Sequence, residues 1–353
     1  MSRYLAYSDP SVHRAHVARI EKEAPKARLP VVLVGPEKEF KTYLTNGDYR
    51  GGSRVCCGGR FVTGQLWPNS ISTIVMTVGP GFCYFKFLLP RVLEPDELYF
   101  GSFLGGSQTV LAAVILLCFM LASFTNPGIV PRSAAIPQEL VPNYLDMQGN
   151  PLSRFLRINN VTVKQKFCLT CRIFRPPRSK HCSYCDNCVL RFDHHCTWLG
   201  NCIGLHNYRY FVVLIYCATI FLIECIYVAF RILHNLSLDI YGPGVDTFEW
   251  FCTLGEEPTL VGFLMYCMVL VVAVLLLSIY HTVIVLQNLT TNEHVRNYYK
   301  ENPFDFGPPR NCWQIYCHPE RVLAEGDDRL QADYGPHPSV SDDESVYEEL
   351  AAR

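Results

Sequence analysis

Residues 260–286 read LVGFLMYCMVLVVAVLLLSIYHTVIVL, with no Asp, Glu, Lys or Arg among them. The hydrocarbon core of a bilayer is about 30 Å thick, and a helix crosses it with about 20 apolar residues. Three further stretches reach that length: Phe103–Phe124 (FLGGSQTVLAAVILLCFMLASF), Tyr210–Leu233, which contains one acid, Glu224, and Ile71–Leu89, interrupted by Gly79, Pro80 and Lys86. Any one of these alone reads equally as a buried core helix. Four together, with so little charge inside them, specify an all-α polytopic membrane protein with four transmembrane helices.

Composition agrees. Charged residues make up 18% of the 353 residues and apolar ones 49%, against about 25% charged in ordinary soluble chains. Disorder across most of the chain and a coiled coil are excluded. The net charge of −1 gives no global basic excess that would point to nucleic acid. Seventeen cysteines, an odd number in a long chain, fit a small secreted disulfide scaffold poorly.

Loop charge sets the orientation. Residues 1–70 and the 125–208 loop are basic, the latter with Lys164, Lys166, Arg172, Arg175, Arg178, Lys180 and Arg191. Segment 90–102 sets Arg91 against Glu94, Asp96 and Glu97, and segment 234–258 has acids but no Lys or Arg. The positive-inside rule puts both termini and the 125–208 loop in the cytosol. The first 30 residues lack the apolar core of a cleavable signal peptide. The expected order is a cytosolic N-terminal region (1–70), spans at 71–89 and 103–124, a cytosolic loop (125–208), spans at 210–233 and 260–286, a cytosolic segment (287–320) and an acidic disordered tail (321–353).

The 125–208 loop holds the chemistry. Seven cysteines lie between Cys168 and Cys202, as CLTC (168–171), HCSYCDNC (181–188), DHHC (193–196) and Cys202. Disulfides are unlikely on the reducing side of a membrane, and closed zinc sites take four Cys or His ligands. Six cysteines besides Cys196, with His181, His194 and His195, give nine candidates. Two tetrahedral sites use eight, which leaves one histidine beside Cys196. A single CxxC is a weak signal; three with interleaved histidines in so short a span are a strong one. Such clusters most often serve as structural modules for nucleic acid, ubiquitin-pathway proteins or folding alone. Here the cluster is pinned between two spans, and Asp193-His194-His195-Cys196 has the parts of a nucleophilic site: a thiol, an imidazole base and a carboxylate.

The run C-x2-C-x9-HC-x2-C-x2-C-x4-DHHC-x5-C-x4-N-x3-F, through Asn207 and Phe211, resembles the cysteine-rich domain (about 166–211) of the DHHC family of protein S-acyltransferases (palmitoyltransferases). Thr290-Thr291-Asn292-Glu293 resembles the family's TTxE motif, and Thr125-Asn126-Pro127-Gly128 its DPG motif. NPFDFGPPRNCWQIYC (302–317) resembles its C-terminal segment. RVCCGGR, RPPRSKHCSYCDNCVLRFDHHC and NYRYF are most similar to the Ras-acyltransferase-like branch. The likeness runs from about residue 50 to 317. Departures are Thr197 where Pro usually follows DHHC, Asn126 for the Asp of DPG, and Cys317 where Gly is common.

The resemblance implies two structural zinc ions, one on Cys168, Cys171, His181 and Cys188, the other on Cys182, Cys185, His195 and Cys202. It implies Cys196 as nucleophile, His194 as its base and Asp193 as the group that orients the base. A long acyl chain then passes from acyl-CoA (palmitoyl-CoA) through a Cys196 thioester to cysteines of membrane-associated proteins. Trp198, Phe211, Leu214 and Phe221 are implied walls for the chain, with bulk at Phe221 limiting its length; ordinary helix packing explains them equally. Arg175, Arg178 and Lys180, with Lys164, Lys166 and Arg172, face CoA phosphates or anionic lipid. Thr290, Thr291, Glu293, Asn207 and Asn311 are supporting residues, with Thr291 bonded to Asp193 and Asn311 bracing the C-terminal segment. The implied partners are the bilayer, the protein substrates and an accessory subunit, in the endoplasmic reticulum or Golgi, or at endosomes or the plasma membrane.

Two rivals are a scaffold that keeps zinc but has lost transfer, and a membrane-anchored ubiquitin ligase. Weaker signals are Glu224, expensive in lipid; the sequon at Asn235; Cys56 and Cys57 as secondary acylation sites; and Tyr347–Leu350 as a sorting signal.

Overall fold

The computed structural model of the chain describes residues 43–45, 49–92, 98–133, 153–159, 161–317 and 330–331. Most of the N-terminal region and of the acidic tail, with Tyr347–Leu350, lies outside them.

Among the described residues, four helices are long and apolar enough to cross a membrane: Trp67–Val92, Phe103–Phe124, Tyr208–Tyr241 and Pro258–Leu286. The first is composite. Its regular part, α1 (Trp67–Cys83), contains Pro80, and a π turn at Tyr84–Leu88 and a 3-10 turn at Leu89–Val92 follow. Proline at position 80 takes away the donor that would reach the Met76 carbonyl. The Tyr266 hydroxyl of the fourth span donates to that carbonyl at 3.4 Å, a repair expected where no water is at hand. The second is α2 (Leu98–Phe124) and the third α3 (Tyr208–Tyr241). At 34 residues and 1.5 Å per residue, α3 is about 50 Å long, so it outruns a hydrocarbon core and carries the Asn235 sequon within its helical end. A short helix, α4 (Thr247–Glu256), opened by an Asp246–Glu249 capping box, leads into α5 (Pro258–Leu286).

Two cores hold the bundle. Tyr84, Leu104, Cys225, Val228, Leu233 and Leu260 pack at the end remote from the cysteines. Phe119, Cys196, Tyr208, Phe211, Ile215 and Val285 pack at the other. Side chains such as Val75, Val110, Val269 and Leu276 stay exposed, as lipid-facing positions must. Glu224 accepts from Ser107 of α2 at 3.2 Å, so the acid is turned toward a neighbouring helix. Arg91 and Glu257 close the remote end with a 2.8 Å ion pair.

Outside the spans the chain forms short antiparallel strands. The hairpin β1 (Arg54–Cys56) and β2 (Phe61–Thr63) leaves Cys56 and Cys57 exposed. Between α2 and α3, β3 (Ser153–Ile158), β4 (Val161–Cys168) and β5 (Ile173–Phe174) form a sheet. Two hairpins follow, β6 (Lys180–Cys182) with β7 (Asn187–Val189), and β8 (His194–Cys196) with β9 (Asn201–Ile203). After α5 come α6 (Thr291–Val295) and α7 (Pro308–Tyr316). Within the tail, β10 (Leu330–Gln331) pairs with β3.

The hairpin region is fastened to the helices at their unpaired ends. The last carbonyls of a helix have no partner inside it. Asn201 donates to the Ser123 and Thr125 carbonyls at 3.0 and 3.2 Å, and Asn207 to Ala122 at 2.9 Å, so α2 ends on the cysteine-rich region. Asn311 likewise donates to the Leu286 carbonyl that ends α5, at 2.7 Å. Asn126 accepts from the amides of Gly128 and Ile129 at 2.9 and 3.0 Å. Its amide oxygen makes the turn that the family's Asp would make, which accounts for that departure.

A buried ion pair completes the fastening. Arg178 donates to both carboxylate oxygens of Glu293 at 2.9 and 2.8 Å, with each side chain 2% exposed. Removing one partner of such a pair costs about 3–5 kcal/mol. Glu293→Gln is therefore expected to lower the thermal unfolding midpoint of the purified protein. Arg178→Met with Glu293→Gln, which removes both charges and keeps a capping acceptor at 293, should recover part of that loss.

Candidate functional site

Strand periodicity sorts the DHHC residues. In β8, side chains alternate between faces, so His194 and Cys196 share one face and His195 points to the other. His195 lies across from Cys202 and meets Cys182, the last residue of β6, and Cys185 of the β6–β7 turn. In the hairpin before it, His181 lies across from Cys188 and meets Cys168 and Cys171 from the β4–β5 turn. Hairpin β6–β7 thus supplies both clusters, Cys168/Cys171/His181/Cys188 and Cys182/Cys185/His195/Cys202, and locks them together.

The donor sets fit zinc. With Zn–S of about 2.3 Å and Zn–N of about 2.0 Å, a tetrahedral site has S···N edges of about 3.6 Å and S···S edges of about 3.8 Å. His181 Nδ1 lies 3.6, 3.4 and 3.9 Å from the sulfurs of Cys168, Cys171 and Cys188. His195 Nδ1 lies 3.6, 3.4 and 3.5 Å from those of Cys182, Cys185 and Cys202, and Cys185 and Cys202 are 3.6 Å apart. Arg132 pairs with the Asp186 carboxylate at 2.7 Å, and Asp186 lies 3.5 Å from His181 Nε2. Tyr184 stacks on His195 with ring centroids 4.9 Å apart.

Asp193, His194 and Cys196 take no part in these clusters. Asp193 is buried and accepts three hydrogen bonds. Its Oδ1 accepts the Thr291 amide at 2.8 Å. Its Oδ2 accepts the Thr291 hydroxyl at 2.8 Å and His194 Nδ1 at 2.7 Å. A carboxylate only accepts, so Nδ1 carries the proton and Nε2 is left for Cys196. Burial works against ionising Asp193, but the hydrogen bond and charge of His194 hold it below the usual carboxylate range. Burial likewise works against charged His194, yet its hydrogen bonds to Asp193 and Cys196 push it up to about 10. Cys196 is buried against Phe119, Phe211 and Ile215 at the mouth of the helical bundle.

The supporting residues have distinct duties. Thr290 and Glu293 form the capping box that starts α6, which presents the Thr291 amide and hydroxyl to Asp193. Phe211 lies edge-on to His194 at 5.1 Å, and Leu214 packs in the same cluster. Phe221 sits in the remote core, 6.0 Å from Tyr84 and 6.1 Å from Phe85. Trp198 is exposed, its carbonyl held by Thr73 of α1 at 2.9 Å. Thr197 is exposed beside it.

One expectation is corrected. Arg178 does not face CoA phosphates: its guanidinium is consumed by Glu293 and Asn288 and lies 4.4 Å over Phe304. Lys180 donates to Asn292 at 2.9 Å, and Arg175 is half-buried. Arg296 joins them, a residue the sequence reading passed over. Burial and then the charges of Arg296 and Arg175 pull Lys180 down, and burial, Lys164, Arg175 and Arg296 pull Lys166 down. The shared influence of Arg175 and Arg296 marks one basic surface.

Comparison with known proteins agrees with the geometry. Residues 161–298 match the family model described as DHHC palmitoyltransferase. The chain is 33% identical to palmitoyltransferase ZDHHC18 of Homo sapiens over 296 residues, covering 77% of this chain and 71% of that one. It is 34% identical to palmitoyltransferase ZDHHC9 of Danio rerio over 293 residues (76% and 70%). It is also 34% identical to probable protein S-acyltransferase 2 of Arabidopsis thaliana over 280 residues (75% and 66%). With its four spans and paired Cys/His clusters, the chain belongs to the DHHC palmitoyltransferase family, whose members are protein S-acyltransferases.

The separation of ligands from triad has a direct test. Cys171→Ser should lose one equivalent of zinc and, with it, folded protein. Cys196→Ser should keep the metal content of the unaltered chain by elemental analysis. Stoichiometric metal loss from Cys196→Ser would contradict the partition.

Proposed function

We propose that this protein transfers a long acyl chain from acyl-CoA to cysteines of membrane-associated proteins, with Cys196 as the nucleophile. The observation that carries the reading is the Thr291–Asp193–His194 chain of hydrogen bonds, which ends at Cys196. A free thiol has a pKa of about 8.5 and is mostly protonated at neutral pH. With His194 held up to about 10, its Nε2 keeps the proton shared with Cys196 while the sulfur attacks the thioester carbonyl carbon. The carbon–sulfur bond to CoA breaks, and the departing CoA sulfur takes the proton back from His194. In the second half, the acceptor cysteine gives its proton to His194 and its sulfur attacks the acyl-enzyme. Cys196 leaves and recovers the proton. The two zinc ions supply shape, stapling hairpins too small to fold on an apolar core.

Affinity for the lipid follows from its length, at about 0.8 kcal/mol per buried methylene. The chain would extend from Cys196 past Phe211 and Leu214 toward Phe221, while CoA stays in water near Lys164, Lys166, Arg175, Lys180 and Arg296. Burial, with the charges of Arg175 and Arg296, lowers both Lys166 and Lys180, and this clustering of basic groups supports an anion-binding role for that surface. We place the cysteine-rich region and both termini in the cytosol, in the endoplasmic reticulum or Golgi, with an accessory subunit as a partner. Cys56 and Cys57, exposed on their hairpin, are candidates for secondary acylation.

Purified protein incubated with labelled palmitoyl-CoA should acquire hydroxylamine-sensitive label that Cys196→Ser lacks. Equal label on both would sink the assignment, and none on either would favour a zinc scaffold without transfer. Opening the remote wall with Phe221→Ala should shift preference toward longer acyl-CoAs in direct competition. An unchanged length profile would remove Phe221 from the wall.

A further inference from the structure

His281 is a histidine inside the apolar helix α5, and only 1% of it is exposed. An ionisable residue within a span is costly and calls for a reason. Its immediate partner is the Tyr208 hydroxyl, 3.0 Å from His281 Nδ1, at the first residue of α3. Tyr208 and Phe211 stand three apart on α3 and so share a face. Phe211 touches two histidines. Its ring contacts His281 edge-on at 5.0 Å and 76°, and His194 edge-on at 5.1 Å and 68°. The two imidazoles are 6.4 Å apart, too far for a hydrogen bond between them. The Tyr208 ring also carries the Arg191 guanidinium at 5.5 Å, and Arg191 donates to Asn288 at 2.9 Å.

The geometry points to His281 and Tyr208 as positioning residues for acyl transfer: the hydrogen-bonded pair packs against Phe211 and fixes its place, and Phe211 sets the plane of the His194 imidazole against Cys196. This rests on the roles of His194 and Cys196 proposed above. Asp193 fixes only one atom of the His194 ring, Nδ1. Rotation about that anchor would swing Nε2 away from the thiol, and the Phe211 ring is the surface that limits it. An aliphatic residue at 281 would fill the space, but it would leave the buried Tyr208 hydroxyl without this partner and free Tyr208 and Phe211 to shift together.

The test compares His281→Leu, His281→Asn and Tyr208→Phe with the unaltered full-length protein in lipid nanodiscs. Single-turnover acylation of Cys196 by palmitoyl-CoA, KM for palmitoyl-CoA and zinc content are read for each. His281→Leu should slow acylation about 10- to 100-fold, the penalty for misplacing a reacting group, with KM within about twofold and both zinc ions kept. His281→Asn, whose amide oxygen can accept from Tyr208, should recover most of the rate. If His281→Leu does not fold, Tyr208→Phe answers alone, since it keeps the ring and removes only the hydroxyl; it should lower the rate at unchanged KM. Unaltered rates in His281→Leu, or in Tyr208→Phe where that variant stands alone, would overturn the inference, as would a His281→Asn no faster than His281→Leu. A wild-type protein that acquires no acyl group on Cys196 would overturn the underlying reading itself, and the two failures are told apart by that control.

Discussion

A buried carboxylate that must be fully bonded organises this protein. Asp193 comes from the cysteine-rich hairpins, and both of its oxygens accept hydrogen bonds, from Thr291 at the start of α6 and from its own neighbour His194. An unpaired buried charge is prohibitively costly, so the segment after the fourth span has to dock where it does. That docking is reinforced by a second buried charge pair, Arg178 with Glu293, contributed by the same two pieces of chain. Zinc-type clusters shape the hairpins, and Asp193 ties the shaped hairpins to the membrane bundle with the imidazole aimed at Cys196.

The asparagines extend the same logic to the helix ends. Asn201 and Asn207 take up carbonyls at the end of α2, and Asn311 takes up one at the end of α5. Each is a buried side chain that satisfies backbone groups otherwise left open where a helix stops. The spans therefore end against buried asparagine side chains rather than in water, and the Cys196 thiol packs in the same cluster as the ends of α3 and α5.

Some of this was legible in the sequence, for physical reasons. Twenty-residue apolar windows have no competing explanation when four occur together, and the ligand residues announce themselves by type and spacing. The division of labour within DHHC follows from strand alternation, yet nothing in the sequence marks 194–196 as a strand; the resemblance supplied that division. Arg178 was misread because its partner Glu293 lies 115 residues away, and a basic residue among basic neighbours gives no sign that it is buried. His281 carried no signal at all, since a lone histidine in an apolar helix looks the same whether it is idle or braced. Arg296 was passed over because the basic surface is assembled from two chain segments.

The central claim is that the acyl group rests on Cys196 between donor and acceptor. The most direct measurement is peptide mapping by mass spectrometry after a single turnover with palmitoyl-CoA, before and after adding an acceptor protein. The account requires the acyl group on the Cys196 peptide first, and its passage from that peptide to an acceptor cysteine afterwards. Acylated acceptor with Cys196 never modified, or an acyl group found only on other cysteines such as Cys56 and Cys57, would contradict it.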